Sequence, residues 1–180
     1  MEVENHISLL EDILGKWEDV IGKDYKAYKN HVYRVTNFCY ALQADMTDND
    51  KEKIIIAGCF HDLGIWSNNT FNYLSPSVKL AKAYLSKSNK ETWFPEIGLM
   101  IKQHHKITQY NDNRYPLVNI FRKADWIDVS KGKRSFGLSK SVVNDVINTF
   151  PNLGFHKKII KLTKAEFIKH PLNPLPMMKW

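Results

Sequence analysis

Four side chains at three widely separated places in this chain have the chemistry to bind one divalent metal ion. His31 lies on the apolar face of a predicted helix, His61 and Asp62 adjoin each other at the end of a second, and Asp125 lies within a third. Burying an imidazole or a carboxylate on an apolar face is costly unless something compensates it. A divalent metal would compensate all four groups at once, so the pattern indicates a metal site.

The donor types narrow the choice of metal only a little. Two imidazoles and two carboxylates suit Mn, Fe, Co, Ni, Zn or Mg, and no thiolate is present in the set to favour a structural zinc site. A single buried histidine is more often a hydrogen-bonded structural residue than a ligand. The metal interpretation gains its weight from four such groups on three separate helices.

Helical periodicity dominates the elements that must position these groups. Apolar residues recur at three- and four-residue steps, and no segment alternates with a period of two, which predicts an all-α fold of about seven or eight helices. The predicted helices cover about 7–17, 25–43, 49–61, 76–86, 95–106, 116–130, 139–150 and 155–169. Thr47 or Asp48 is the expected N-cap of the third helix. Residues 64–75 are predicted to form a loop.

Composition is that of an ordinary globular protein. Of the 180 residues, 43% are hydrophobic and 25% are charged, which excludes wholesale disorder and predicts a single domain over 1–180. Its core, which carries the motifs, would span about 25–130, with C-terminal helices and a proline-rich tail over 139–180. The net charge of +7 favours anionic partners without choosing among them.

Several features predict a soluble, cytoplasmic protein. The longest apolar run, 54–60, is far shorter than the roughly 20 residues of a membrane span, so we expect no membrane association. The first four residues include two glutamates, where a signal peptide would be basic. Two cysteines, Cys39 and Cys59, are too few for a disulfide scaffold and fit a reducing compartment.

The order and spacing of the four groups resemble the H…HD…D signature of the HD-domain superfamily of metal-dependent phosphohydrolases. The local contexts also match, and the resemblance covers about residues 25–130. The three matching stretches are His31-Val-Tyr-Arg34-Val35, His61-Asp62-Leu-Gly64 and Ala124-Asp125-Trp-Ile-Asp128. The whole chain is similar to uncharacterised bacterial HD-domain proteins.

This resemblance implies an all-helical core with a metal held by His31, His61, Asp62 and Asp125. The metal would bind a phosphate oxygen and lower the pKa of a water molecule that attacks phosphorus, with Asp62 holding or bridging that water. The implied activity is hydrolysis of a phosphate ester. Its implied substrate is a nucleotide or another small phosphorylated metabolite.

Two basic residues are candidates for contacting the substrate phosphate. Arg34 follows His31 by three residues and therefore lies on the same side of its helix. The alternative for Arg34 is a surface salt bridge. Lys123, close to Asp125, is a weaker candidate for stabilising the same charge, since most lysines are simply solvated.

The histidine pair His104-His105 resembles the later pair of superfamily members that bind two metals. His104 shares a face with the apolar residues three, four and seven positions before it, so we expect it to point inward rather than His105. We expect it to contact the substrate, donate a proton or act as a partial ligand. Its alternative is a core histidine.

One departure from the two-metal pattern counts against a full second metal site. Two-metal members usually carry a further histidine, often as His-Glu, at the start of the helix after the His-Asp pair, where this chain has Tyr73-Leu74. The superfamily also includes di-iron oxygenases, which need both irons held by protein ligands. The missing histidine makes that second enzymatic class the less favoured one.

Two other features leave alternatives open. Lys157, Lys161 and Lys164 form a stripe on the last helix, and the basic loop 131–134 adds to it, so nucleic-acid binding is possible but not favoured.

The tail from Pro171 ends in an apolar Trp180. It would either fold back over the core or the mouth of the site, or dock on a second subunit in a homodimer.

Overall fold

Helices provide the regular structure of the described part of the chain, residues 2–172 and 175–178 of a computed structural model. No β-strand occurs within those residues, so the predicted all-α class is confirmed. Eight helices there have eight or more residues: α1 (Ser8–Gly15), α3 (Tyr25–Leu42), α4 (Asp48–Phe60), α6 (Leu74–Lys87), α7 (Phe94–Gln103), α8 (Pro116–Val129), α9 (Lys140–Thr149) and α10 (Phe155–Lys169). Two shorter ones are α2 (Glu18–Ile21) and α5 (Gly64–Ser67).

Helix α3 is the centre of the bundle. Twelve of its 18 residues are buried, and it packs against α4, α8 and α9. Because the helix is covered on most sides, its polar side chains His31 and Arg34 lie in the interior instead of facing solvent. The packing of α4 and α8 on either flank brings their own polar residues to the same depth.

Helix α4 ends directly before the His61-Asp62 pair, and a capping box fixes its N-terminus. The Thr47 hydroxyl accepts from the backbone N–H of Asp50, and the Asp50 carboxylate accepts from the backbone N–H of Thr47. This reciprocal capping box identifies Thr47 as the N-cap. The last seven residues, 54–60, are all buried, which explains the long apolar run in the sequence.

The stretch predicted as a loop is more ordered than expected. Residues 64–75 contain the short helix α5, and α6 begins at Leu74, two residues before Pro76. Helix α7 ends at Gln103, earlier than predicted, because the Nδ1 of His104 bonds the carbonyl of Ile101 at 2.8 Å and competes with the helical pattern. Both histidines therefore lie in the turn after α7.

Gly64 marks a close approach between the end of the His-Asp motif and the start of α6. A Cβ at this position would lie 2.5 Å from the carbonyl oxygen of Tyr73, a backbone atom that cannot rotate away. The Gly64 N–H donates to the Ser77 hydroxyl at 2.9 Å. The residue here must be glycine because the two backbones pack directly against each other.

The C-terminal part of the described chain returns to the bundle. Helix α10 follows Gly154, whose φ of 92° is readily adopted only by glycine. Beyond it, Met177 is buried against Phe71 and Tyr73. Of the two alternatives for the tail, folding back describes residues 175–178, whereas Trp180 lies outside the described residues.

A continuous apolar core connects α1 with the start of α10. Leu10, Phe38, Ile56 and Phe121 are among its fully buried members, drawn from four different helices. Across residues 2–172 and 175–178, no helix combines the length and the apolar character that crossing a membrane requires. The core thus serves to hold α3, α4 and α8 together around the polar residues at its middle.

Candidate metal centre

Three elements bring the four expected ligands to one buried point. The Nε2 atoms of His31 and His61 are 2.9 Å apart. Asp62 Oδ2 lies 3.7 Å from the first of these nitrogens and 3.5 Å from the second, and Asp125 Oδ1 lies 3.7 Å and 3.8 Å away. None of the four residues is more than 4% exposed. Residues separated by up to 94 positions therefore converge on a space the size of one ion.

The outer nitrogens of the two histidines show how the rings are protonated. His61 Nδ1 lies 2.7 Å from the carbonyl oxygen of Gly58, which can only accept, so Nδ1 must carry the proton. His31 Nδ1 lies 2.6 Å from Oδ2 of Asp128, a carboxylate that also accepts. In the neutral rings, both Nε2 atoms therefore present lone pairs to each other. Two lone pairs at this distance repel unless a proton or a metal cation lies between them.

The two carboxylates are buried as anions with unused acceptor atoms. Among the described residues, neither Oδ1 of Asp62 nor Oδ2 of Asp125 has a hydrogen-bond partner. Burial by itself would raise both pKa values. When protonated, the imidazoles of His61 and His104 outweigh it at Asp62, as those of His105 and His104 do at Asp125, and both pKa values lie below the ordinary range. Buried anions with free oxygen atoms match what a divalent cation requires.

The histidine pair after α7 extends this centre. His104 Nε2 is buried without a hydrogen-bond partner in the described part of the chain and lies 3.4 Å from Asp62 Oδ1. His105 Nδ1 lies 3.4 Å from Asp125 Oδ2. His104 is the fully buried member of the pair, and His105 is partly exposed. The pair therefore approaches both carboxylates, one histidine to each.

These contacts supply more donors than the four-residue signature. Three overlapping groups of described residues could hold a cation: the first is His31, His61 and Asp125, the second is His61, Asp62 and His104, and the third is His104, His105 and Asp125. Tyr73, at the place of the histidine expected in two-metal relatives, is buried, and its hydroxyl oxygen lies 2.7 Å from His105 Nε2. The sequence pattern assigned no role to Tyr73.

A second polar layer holds His31 from behind. The buried Asp128 carboxylate accepts from His31 Nδ1 and from the Nε and Nη2 groups of Arg34. His156 Nε2 lies 3.7 Å from Oδ2 of Asp128. Burial opposes ionisation of Asp128, but the nearby His156 imidazole and the hydrogen bonds from His31 and Arg34 keep its pKa well below the ordinary range. Asp128 therefore fixes the His31 ring, as the outer partners of metal-binding histidines commonly do.

The structure does not support the expected substrate roles of the two basic residues. Arg34 is 1% exposed, and all three of its guanidinium nitrogens donate hydrogen bonds to protein acceptors. One of them, Nη1, donates to the Phe150 carbonyl at 2.9 Å. Arg34 thus positions Asp128 and His31 instead of facing a phosphate. Lys123 is two residues from Asp125 and therefore lies on the other side of α8, and it is not among the residues that line the cavity at Asp62 and His105. The three-residue spacing between His31 and Arg34 could not show whether Arg34 would contact a substrate phosphate or pair with a carboxylate of the protein.

An apolar cavity opens beside the polar centre, and nothing in the sequence pattern predicted it. It has a volume of about 220 Å³ and reaches Asp62 and His105 at its inner end. Its walls come from Phe71 and Tyr73, from the last turns of α8, from α10 and from segment 175–178. Aromatic and aliphatic residues like these usually form the packed core of a protein. Their sequence positions therefore do not reveal that they surround a cavity.

The basic residues considered for nucleic-acid binding lie on the surface. Lys157, Lys161 and Lys164 are all exposed along α10, and Lys131 and Lys133 are exposed in the loop after α8. Exposed lysines of this kind are expected both in a nucleic-acid-binding surface and in an ordinary solvated surface. Nucleic-acid binding stays a prediction, as does the homodimer.

Comparison with known proteins agrees with this geometry. The family model described as HD domain matches residues 28–130, which is more than half of the chain. The chain therefore belongs to the HD-domain family, a superfamily of metal-dependent phosphohydrolases. No curated protein and no solved structure matches it.

Proposed function

We propose that this protein is a metal-dependent phosphohydrolase that cleaves a small phosphate ester, with nucleotides among the substrates expected from the sequence. One observation carries the proposal: the Nε2 atoms of His31 and His61 face each other at 2.9 Å while their outer nitrogens are held by Asp128 and Gly58. Asp62 and Asp125 complete the donor set. A divalent ion held by these four groups would polarise the phosphate and lower the pKa of the attacking water.

Asp62 is proposed to orient that water. Its Oδ2 lies with the ligand atoms, whereas Oδ1 is buried and has no hydrogen-bond partner among the described residues. Because the pKa of this carboxyl is below its ordinary range, Asp62 accepts a hydrogen bond well but is a weak base. It therefore aligns a water molecule without having to remove the proton itself.

His104 is proposed to handle the proton. Its Nδ1 donates to the Ile101 carbonyl, so Nε2 is the nitrogen that can gain or lose a proton. This Nε2 is buried and lies 3.4 Å from Asp62 Oδ1. A proton taken up there can pass to the leaving-group oxygen when the phosphorus–oxygen bond breaks. If His104 instead acts as a partial metal ligand, the coordinating atom would also be Nε2.

The proposal is tested by removing all metal from the purified protein and supplying Mn, Fe, Co, Ni, Zn and Mg in turn. Phosphate release is then measured across nucleotides, sugar phosphates and simpler alkyl and aryl phosphates. We expect no turnover without metal and restored turnover with at least one ion. Asp62→Asn should stay inactive under every condition, whereas Asp145→Asn, on the exposed face of α9, should match the unmodified protein. Turnover that survives complete metal removal would contradict the proposal.

The histidine pair gives a second enzymatic class, the di-iron oxygenases, a specific basis. His104 and His105 add nitrogen donors beside Asp62 and Asp125, respectively, which offsets part of the argument from the missing histidine at Tyr73. The two classes separate in protein purified without oxygen. Two irons per chain with substrate-dependent oxygen uptake would favour the oxygenase, and phosphate release without oxygen uptake would favour the hydrolase.

A further inference from the structure

The apolar cavity shares its inner end with the candidate metal centre. Both Asp62 and His105 contribute to its lining, so a molecule that fills the cavity comes into contact with these residues. Tyr73 lies between the two, with its hydroxyl oxygen 2.7 Å from His105 Nε2. What surrounds this space should therefore select the part of the substrate that is not phosphate.

The outer walls are almost entirely aromatic and aliphatic. Phe71 and Trp126 line the space, as do Phe155 and Ile159 of α10. Within residues 2–172 and 175–178, no lysine or arginine lines the cavity. Of the polar groups at the wall beyond the metal centre, the Tyr73 hydroxyl is already bonded, which leaves Thr163. A substrate with many hydroxyl or charged groups would lose their hydration here without gaining partners.

The C-terminal segment closes the remaining side. Leu175, Met177 and Met178 line the cavity, and Met177 is 3% exposed. Methionine side chains are flexible and polarizable, so they adapt to apolar groups of differing shape. The same segment packs against Phe71 and Tyr73, which keeps this wall in contact with the turn beside the centre.

The volume limits the size of the group that fits. At about 220 Å³, the cavity is smaller than the roughly 300–1,000 Å³ typical of sites for drug-sized ligands. The cavity therefore favours a compact organic group.

We propose that the preferred substrate is a phosphate ester whose organic part is a compact apolar group, such as a six-membered carbocycle, and that Ile159 and Met177 select for it. This inference rests on the proposed function, because the phosphate is placed at the centre of His31, His61, Asp62 and Asp125. It goes further in favouring an apolar ester over nucleotides and sugar phosphates.

The most direct test compares two substrates with the same ring. Cyclohexyl phosphate and inositol 1-phosphate share a six-carbon ring and differ in the five free hydroxyl groups of the second. We expect kcat/KM to be at least about tenfold higher for cyclohexyl phosphate, and higher than for AMP, because the hydroxyl groups find no partners in the wall. Equal or reversed preference would overturn the inference while leaving the phosphohydrolase proposal intact.

A matched pair of variants tests the wall itself. Ile159→Lys introduces a charge into the cavity, and Ile160→Lys places the same charge on the adjacent residue, which is 54% exposed and does not line it. We expect kcat/KM for cyclohexyl phosphate to fall about tenfold or more in the first variant and to change little in the second. Metal content and thermal unfolding are measured for both.

Ile159→Thr is the alternative if Ile159→Lys does not fold. It shortens the side chain, removes apolar surface and adds one hydroxyl, so we expect a smaller loss of the cyclohexyl preference in the same direction. A preference that is unchanged in every folded variant at position 159 would overturn the role assigned to this wall.

Binding measured by calorimetry separates this inference from the proposed activity. Cyclohexylphosphonate and methylphosphonate carry the same head group, and neither is hydrolysed as an ester. We expect the cyclohexyl compound to bind metal-loaded protein at least about tenfold more tightly, and Ile159→Lys to abolish the difference. This result would support the inference even if no phosphate ester were turned over. Equal affinity for the two compounds would overturn it.

Discussion

The candidate metal centre and the apolar cavity adjoin each other, yet they are built in opposite ways. The centre consists of polar side chains held by specific hydrogen bonds, such as the pairing of His31 Nδ1 with Asp128 at 2.6 Å. The cavity consists of apolar side chains such as Ile159 and Met177, which pack without directional bonds. The centre requires particular atoms at particular places, whereas the cavity requires a shape and the exclusion of charge. Chemistry and selectivity are therefore separate properties of this site.

The two regions also come from different parts of the chain. The centre draws on α3, on the end of α4 and on α8, all within the residues that the family model matches. The cavity depends in addition on α10 and on segment 175–178, which follow the match. This division suggests that substitutions in the two regions will affect different measurements. The following predictions test that expectation, from the largest expected effect to the smallest.

His61→Ala should produce the largest loss. It removes one of the two facing Nε2 atoms and leaves Asp62 and Asp125 as buried anions with less compensation. We expect turnover to fall by about 10²–10³ or more, together with loss of bound metal. Phosphate release and metal analysis of the same sample measure both effects. Full turnover by protein that holds no metal would refute the assigned role.

Asp128→Asn should weaken metal binding without removing a ligand. The change eliminates the anion that pairs with Arg34 and holds His31, so we expect metal affinity to fall about 10–100-fold. Unfolding stability should also fall by about 3–5 kcal/mol, because the Arg34 charge is left buried without a counterion.

The double variant Asp128→Asn with Arg34→Met separates these two effects. Removing the unpaired guanidinium should recover part of the stability in urea unfolding, since no buried charge remains. Metal affinity should not recover, because His31 still lacks its carboxylate partner. Recovery of both quantities together would contradict the assignment of Asp128 as the group that positions His31.

Phe155→Leu tests a contact between the centre and the cavity. The Phe155 ring stacks on His31 with centroids 4.1 Å apart, and it also lines the cavity. We expect a stability loss of about 0.5–1.5 kcal/mol and a measurable reduction in metal affinity. Phe150→Leu is the matched control, because Phe150 stacks on Tyr33 at 4.5 Å, away from the four ligands. It should lower stability similarly and leave metal affinity unchanged.

Lys123→Ala should have the smallest effect. Its position on the side of α8 opposite Asp125 predicts a change in stability within about 0.5 kcal/mol and no change in kcat/KM. A loss of tenfold or more in turnover would restore the original expectation that Lys123 stabilises charge on the substrate. Steady-state kinetics on the metal-loaded variant decides between the two.

The sequence was informative wherever one strong local signal determined the outcome. The start of α8 at Pro116 and the bounds of α10 agree with the predicted ones, since a proline and a glycine mark these ends. The convergence of His31, His61 and Asp125 was also predictable, because each polar group interrupts an apolar face. Such an interruption is unfavourable unless the groups meet.

Other outcomes depended on packing that local patterns do not encode. The periodicity placed Arg34 on the same side of α3 as His31 but could not show that Asp128 would lie against both. His156 had no signal, because its proximity to Asp128 arises only when α10 docks on α3. The end of α7 was misplaced because the His104 side chain bonds the backbone of its own helix.

The close contact at Gly64 limits how this site could be redesigned. With no room for even a methyl group between position 64 and the Tyr73 carbonyl, the inner wall of the site cannot be moved outward without disturbing the His-Asp turn. Another part of the wall, formed by α10 and segment 175–178, consists of side chains such as Ile159, Thr163 and Met177. Protein engineers who wish to admit bulkier substrates should therefore randomise positions such as 159, 163 and 177 and leave 64 and 73 alone.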